Sequence, residues 1–129
     1  MRTSLLGLLL LLAPFVQGCA ALFVGAAGGV LLSSDVLDHS VYVATLDADA
    51  TRVWSSVKVT LSHTSLKPIE TDEELRKAIA EVDGATVTAA VETYDLNRSV
   101  VRVSARKYGV NNGEIAKMVY DKIISDLED

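Results

Sequence analysis

Cysteine occurs once in this 129-residue chain, at Cys19. A lone thiol excludes an internal disulfide, and with it a stapled secreted mini-fold or a cysteine-rich metal site. Histidine is almost as scarce. His39 and His63 have a spacing that matches no zinc motif, and each reads as a solvated residue in a turn or at a helix end. No serine lies in a G-x-S-x-G elbow, and Gly25-Ala26-Ala27-Gly28-Gly29 lacks the Lys-Ser/Thr that completes a phosphate loop. Asp72, Glu73 and Glu74 read as a solvated acidic turn rather than as catalytic carboxylates. The sequence therefore reads as non-enzymatic, with no cofactor and no metal. Positive charge is also in deficit, with 12 Lys+Arg against 17 Asp+Glu and a net charge of −5. Arg2 is the only charged side chain before Cys19, so the remainder carries 11 basic and 17 acidic residues, a net of −6. That sign argues against nucleic acid as a partner, because phosphate binding needs a positive footprint. It argues equally against polybasic attachment to a membrane.

What the chain has in excess is apolar residues, 50% of the total, concentrated before residue 33. Leu5 to Val16 is a run of twelve residues, seven of them leucine, that follows Arg2 and the amino terminus. A charged start, an apolar middle of this length and small residues at the end make up an export signal. The run itself is shorter than the roughly 20 residues needed to span a bilayer. Val16-Gln17-Gly18-Cys19 resembles the lipobox of bacterial lipoproteins. In that family the cysteine thiol receives a diacylglycerol, the signal is cut just before it, and the new amino terminus is acylated. The resemblance implies lipidation at Cys19, cleavage flanked by Val16, Gln17 and Gly18, and a membrane as partner through the acyl chains. Ala20, standing where an Asp would retain the protein at the inner membrane, resembles the outer-membrane default. Two other readings remain open at this point. The signal could be cut elsewhere, or Leu5 to Leu32 could be one uncleaved membrane helix, against which stand Pro14, Gln17 and the glycines at 25, 28 and 29. The lipobox reading divides the chain into a signal peptide (1–18), a lipidated Gly-rich tether (19–38) and one domain (39–129).

Within that domain, Val41 to Asp47 reads as a strand. Asp49 can cap a helix whose apolar positions are Ala50, Val53, Trp54, Val57 and Leu61, although Val53, Val57, Val59 and Leu61 also alternate as in a strand. Leu66 to Glu70 reads as a short edge strand, because Pro68 has no amide hydrogen. Residues 71–84 are ambiguous. Thr71 to Glu74 spells a capping box and Leu75, Ala78, Ile79 and Val82 share a helical face. Alternatively, a strand runs into a three-residue loop Val82-Asp83-Gly84 that sets Ile79 opposite Val87 and Leu75 opposite Val91. Thr86–Tyr94 and Ser99–Lys107 read as strands joined through Leu96-Asn97-Arg98, with Glu92 opposite Arg102 on the solvent face. A final helix, capped by Asn111 with Glu114, carries the stripe Ile115, Met118, Val119, Ile123 and Leu127.

Taken together, the lipobox, the Gly-rich tether, "TRVWSSVKVTL", "KAIAEVDGATVTAAVE", "VVRVSARKYG" and "EIAKMVYDKI" resemble a small bacterial lipoprotein family of unknown function. In that family the segment before the Asp83-Gly84 turn resembles a strand. The resemblance implies an α+β fold in the order β-α-β-β-β-β-α, an antiparallel sheet of about five strands with both helices on one face. The expected location, together with the lack of a catalytic motif, points to a lipid-anchored envelope protein, of binding or assembly-accessory character, with an envelope protein as partner. Arg102, Arg106 and Lys107, or the edge near Leu66, are the expected contact surface. The alternative role is a carrier holding a small apolar ligand or lipid in a cavity lined by Val57, Leu61, Val91 and Val119.

Overall fold

The computed structural model describes residues 30–128. Asp49 starts the first helix, α1 (Ala50–Thr64), by accepting the backbone N–H of Arg52 at 3.2 Å. This satisfies one of the amides that a helix start leaves without a partner. The helical period then decides the ambiguity in the valines. Val53, Val57 and Leu61 are fully buried, whereas Val59, which only a strand would have turned the same way, is exposed. The second helix, α2 (Gly113–Glu128), is capped one residue later than expected. Asn112, not Asn111, accepts the Ile115 N–H at 3.0 Å, because Asn111 is taken up in a strand opposite Arg106. Its buried stripe is Ile115, Ala116, Val119, Tyr120, Ile123, Ile124 and Leu127, while Met118 is largely exposed.

The strands are β1 (Leu31–Leu37), β2 (Val41–Leu46), β3 (Glu70–Asp72), β4 (Lys77–Val82), β5 (Ala85–Thr93), β6 (Ser99–Lys107) and the two-residue β7 (Val110–Asn111). They form one antiparallel sheet in the order β1-β2-β6-β5-β4-β3, with β7 paired to β6. The fold is α+β with an open sheet and two helices. The expected count of about five strands is too low. Leu31–Leu37, read as tether, is a strand because it forms a hairpin with β2, and a second short hairpin leads from β6 into β7. Residues 77–82 form a strand, as the family resemblance implied, against their local helical signal.

Two registers differ from expectation. The β4–β5 loop has two residues, Asp83 and Gly84, both at positive φ (50° and 78°). This is the turn whose twist matches the flanking strands. It sets Ala80 opposite Val87 and Ala78 opposite Ala89, and sends Ile79 to the other face. A one-residue change of register exchanges the two faces, and here it is Ala78, Ala80 and Val82 that are buried. Leu75 lies before β4 and is exposed. The β5–β6 loop runs from Tyr94 to Arg98, so Val91 faces Val101 and Glu92 faces Val100. That shift of two residues keeps the faces unchanged. The loop is closed by Tyr94 and Asp95 N–H groups on the Arg98 carbonyl, while the Asp95 carboxylate accepts from the Asn97 N–H.

The core lies between this sheet and the helices. Its sheet side is Ala44, Leu46, Ala78, Ala80, Val82, Ala85, Val87, Ala89, Val91, Val101, Val103 and Ala105, alternate residues that share one face. Its helix side brings the larger groups, among them Trp54, Leu61, Tyr120, Ile123 and Leu127. At the start of α2 the backbone of the β1–β2 turn comes so close that a Cβ on Gly113 would overlap the His39 carbonyl oxygen. Gly113→Ala is therefore expected to lower stability by about 1–3 kcal/mol, the usual cost of forcing extra volume into a packed contact. Urea unfolding of the variant at an unchanged slope would measure it, and an unaltered midpoint would show that the turn gives way freely.

Candidate functional site

Cys19 and its flank Val16, Gln17 and Gly18 lie outside the described residues. The three basic residues expected on the contact surface are all on or beside β6, but the structure does not assemble them into one cluster. Arg102 and Arg106 project from the outer face, the one turned away from the helices, since their neighbours Val101, Val103 and Ala105 are buried. Arg102 faces Ala90 on β5 and Val43 on β2, and its Nε lies 3.5 Å from Glu92 on the diagonal. An exposed ion pair of this length adds little to stability. Arg106 faces Thr86, and its guanidinium donates to the Gly109 carbonyl at 3.3 Å, which ties it to the β6–β7 turn. Lys107 has the opposite parity. It lies along the β4–β5 turn at Gly84, and its ammonium sits 5.8 Å from the ring centre of Tyr108. Tyr108 is almost fully exposed and has a positive φ of 54°.

Around Arg102 and Arg106 the outer face is made of small and half-buried groups, including Val43, Thr88, Ala90, Val100 and Ser104. The face thus carries two exposed guanidinium groups among small side chains, with Glu92 as the ion-pair partner of Arg102. Leu66 is fully exposed but precedes the strand instead of belonging to it, since β3 begins at Glu70. Val57, Leu61, Val91 and Val119 are at most 2% exposed and belong to the packed core. Depressions on the surface are lined by Lys67, Pro68 and Glu81 near β3 and by Ser55, Val59 and His63 on α1. His39 and His63 are exposed, and no group of three or more potential metal-ligating side chains occurs among the described residues. No helix among them is long and apolar enough to cross a membrane.

One polar cluster was not anticipated. The acidic turn before β4 is not merely solvated, because Glu73 accepts the indole N–H of Trp54 at 2.6 Å and the Lys58 ammonium at 3.0 Å. Lys58 in turn lies 5.1 Å from the Trp54 ring centre. Asp72 shapes the turn by accepting the N–H groups of Glu74 and Leu75. Trp54 and Lys58 are one helical turn apart, which places both over the same spot. The signal available in the sequence was this spacing together with a buried tryptophan, whose N–H needs an acceptor. What the sequence does not show is that the turn before β4 folds back over α1. The cluster holds the sheet edge to the helix, with the Glu73 side chain itself largely exposed.

The indole donor, and secondarily the ammonium, hold the Glu73 carboxyl below its ordinary range. A carboxylate lowered on folding contributes stability that is present above its unfolded value and lost as pH falls through the folded value. Trp54 is the only tryptophan, so its emission should report this protonation in the native protein. The expected outcome is an acid transition in Trp54 fluorescence, lying below the usual glutamate range and missing from Glu73→Gln. The same transition in the variant would assign it to another group. No protein-family model matches the chain, and a search of curated proteins finds no match.

Proposed function

We propose that the chain is a lipid-anchored lipoprotein of the bacterial cell envelope with a non-enzymatic binding or assembly-accessory role. The observation that carries this reading is Val16-Gln17-Gly18-Cys19 at the end of the leucine-rich run, with the only thiol of the chain at the position the lipobox chemistry requires. Two or more acyl chains make attachment stable, so a triacylated Cys19 would need no basic patch, in keeping with the net negative charge. Ala20 favours the periplasmic face of the outer membrane. Cys19 is 11 residues before Val30, a reach of at most about 40 Å when fully extended. The domain is then a head held close to the bilayer, and its partner is an envelope protein that meets the outer sheet face through Arg102 and Arg106.

Intact mass of the full chain expressed in a Gram-negative host, beside Cys19→Ser, tests the anchor. A mature mass beginning at Cys19 with three acyl chains, and its loss in the variant, is expected. An unmodified mass would overturn the anchor and the outer-membrane location with it. For the partner surface, Arg102→Glu with Arg106→Glu should reduce capture of partners from envelope extracts several-fold. Undiminished capture would remove this face as the contact.

A further inference from the structure

The two edges of the sheet are built differently. At one edge β3 is three residues long, carries Glu70 and Asp72, and follows Pro68 closely. Shortness, charge and a nearby proline are the usual means of keeping an edge from pairing with another chain. At the other edge β1 runs for seven residues, Leu31-Leu32-Ser33-Ser34-Asp35-Val36-Leu37, with neither lysine nor proline. Among the described residues nothing pairs with its outer side. The Val36 N–H is turned away from β2, since the Asp35 carboxylate accepts it at 2.8 Å. Alternation along an antiparallel strand then turns the N–H and C=O of Ser34 outward as well.

The sequence of β1 reads almost the same from either end. Apolar, apolar, polar, polar, polar, apolar, apolar is symmetric about Ser34. We infer that β1 is a homodimer interface, in which two copies of the chain pair antiparallel about Ser34 and continue the sheet from one copy into the next. A two-fold axis requires one patch to fit itself, and this strand does. Ser34 faces Ser34 of the second copy with both backbone groups available. Leu32 faces Val36 and the Ser33 hydroxyl faces the Asp35 carboxylate, whereas Leu31 lies beyond the bulge between Leu31 and Ser33 and packs against its own core. A parallel arrangement or a shift of two residues would instead set Leu32 or Val36 against polar groups. Three of the apolar members are exposed in the single chain, Leu32 at 51%, Val36 at 43% and Leu37 at 42%, whereas Leu31 is half-buried. The Ser34 hydroxyl is already engaged, 2.7 Å from the Tyr120 hydroxyl on α2, so it stays on the helix side and leaves the pairing plane clear. Pairing costs one contact, the Asp35 carboxylate on the Val36 N–H, and replaces it with an interstrand bond. This inference does not rest on lipidation at Cys19.

Single-cysteine variants test the register directly. In the full chain with Cys19→Ser, purified in detergent, Ser34→Cys should give a disulfide-linked dimer on mild oxidation. Leu37→Cys alone should stay monomeric, because the two copies of residue 37 lie at opposite ends of the interface. A mixture of Ser33→Cys with Asp35→Cys should cross-link far better than either alone. Light scattering of the uncross-linked Cys19→Ser chain should give twice the mass of one chain plus bound detergent. A monomer by light scattering with no Ser34→Cys product would overturn the inference, and would mean that residues 1–29 or another protein cover the edge. Cross-linking of Leu37→Cys to itself would overturn the antiparallel register.

Discussion

The structure depends on a division of side-chain size between its two layers. Six of the buried residues on the sheet floor are alanines, at 44, 78, 80, 85, 89 and 105, and most of the others are valines. Alanine is a poor strand former by propensity, so local preference does not account for it. The floor is low because the helices bring the bulk. Trp54 and Leu61 from α1, and Tyr120, Ile123, Ile124 and Leu127 from α2, need depth beneath them. Filling that space at interior density requires the large groups of one layer to meet the small groups of the other. The same requirement decides the register of β4, since only one of the two faces of Lys77–Val82 is small enough to lie under a helix.

Once the layers are matched in size, polar contacts at the margins fix how each helix sits. Trp54 and Lys58 tie α1 to the turn before β4 through Glu73, Thr60 donates to Asp126 at 2.7 Å between the helices, and Tyr120 reaches Ser34 on β1. Tyr120 also stacks on Tyr42, with ring centres 5.5 Å apart. Inside the sheet, the buried Ser99 hydroxyl donates to the Ala48 carbonyl and satisfies the backbone where β2 leads into α1. No buried side-chain polar atom among the described residues lacks a partner. The candidate contact face, in contrast, is held only by the exposed Arg102–Glu92 and Arg106–Gly109 contacts, so its guanidinium groups are free to change partner.

Much of the fold was legible in the residues. Asp49, the spacing of Val53, Val57 and Leu61, the alternation in β5 and β6 and the stripe on α2 each depend on signals within about one turn or one strand, where local chemistry governs. What was not legible depends on contacts between distant segments. Residues 77–82 have good helical spacing and become a strand because the Asp83-Gly84 turn returns the chain alongside β5. Leu31–Leu37 has no marked alternation and is a strand only because β2 offers it an edge. Asn111 lost the cap to Asn112 because β7 takes it. The Trp54–Glu73 contact joins residues 19 apart in sequence, with no pattern to announce it. Of the candidate site, the outward placement of Arg102 and Arg106 follows from strand parity, and the same parity separates Lys107 from them.

The chain enters the described fold at Val30, whose carbonyl accepts the Asp47 N–H at 2.7 Å, and passes at once into the edge strand β1. Tension applied through the residues before Val30 therefore reaches the body of the molecule by way of the β1–β2 ladder. Along the strand axis that ladder is loaded in shear, with its hydrogen bonds sharing the force. Pulled sideways from the sheet, the same bonds break in succession, starting at the Leu31–Ser33 bulge where the pairing is already irregular. The direction of a pull, more than its size, would decide whether β1 holds or peels. Such peeling would meet α2 first at the Ser34–Tyr120 hydrogen bond and again at the Gly113–His39 contact at the far end of the hairpin.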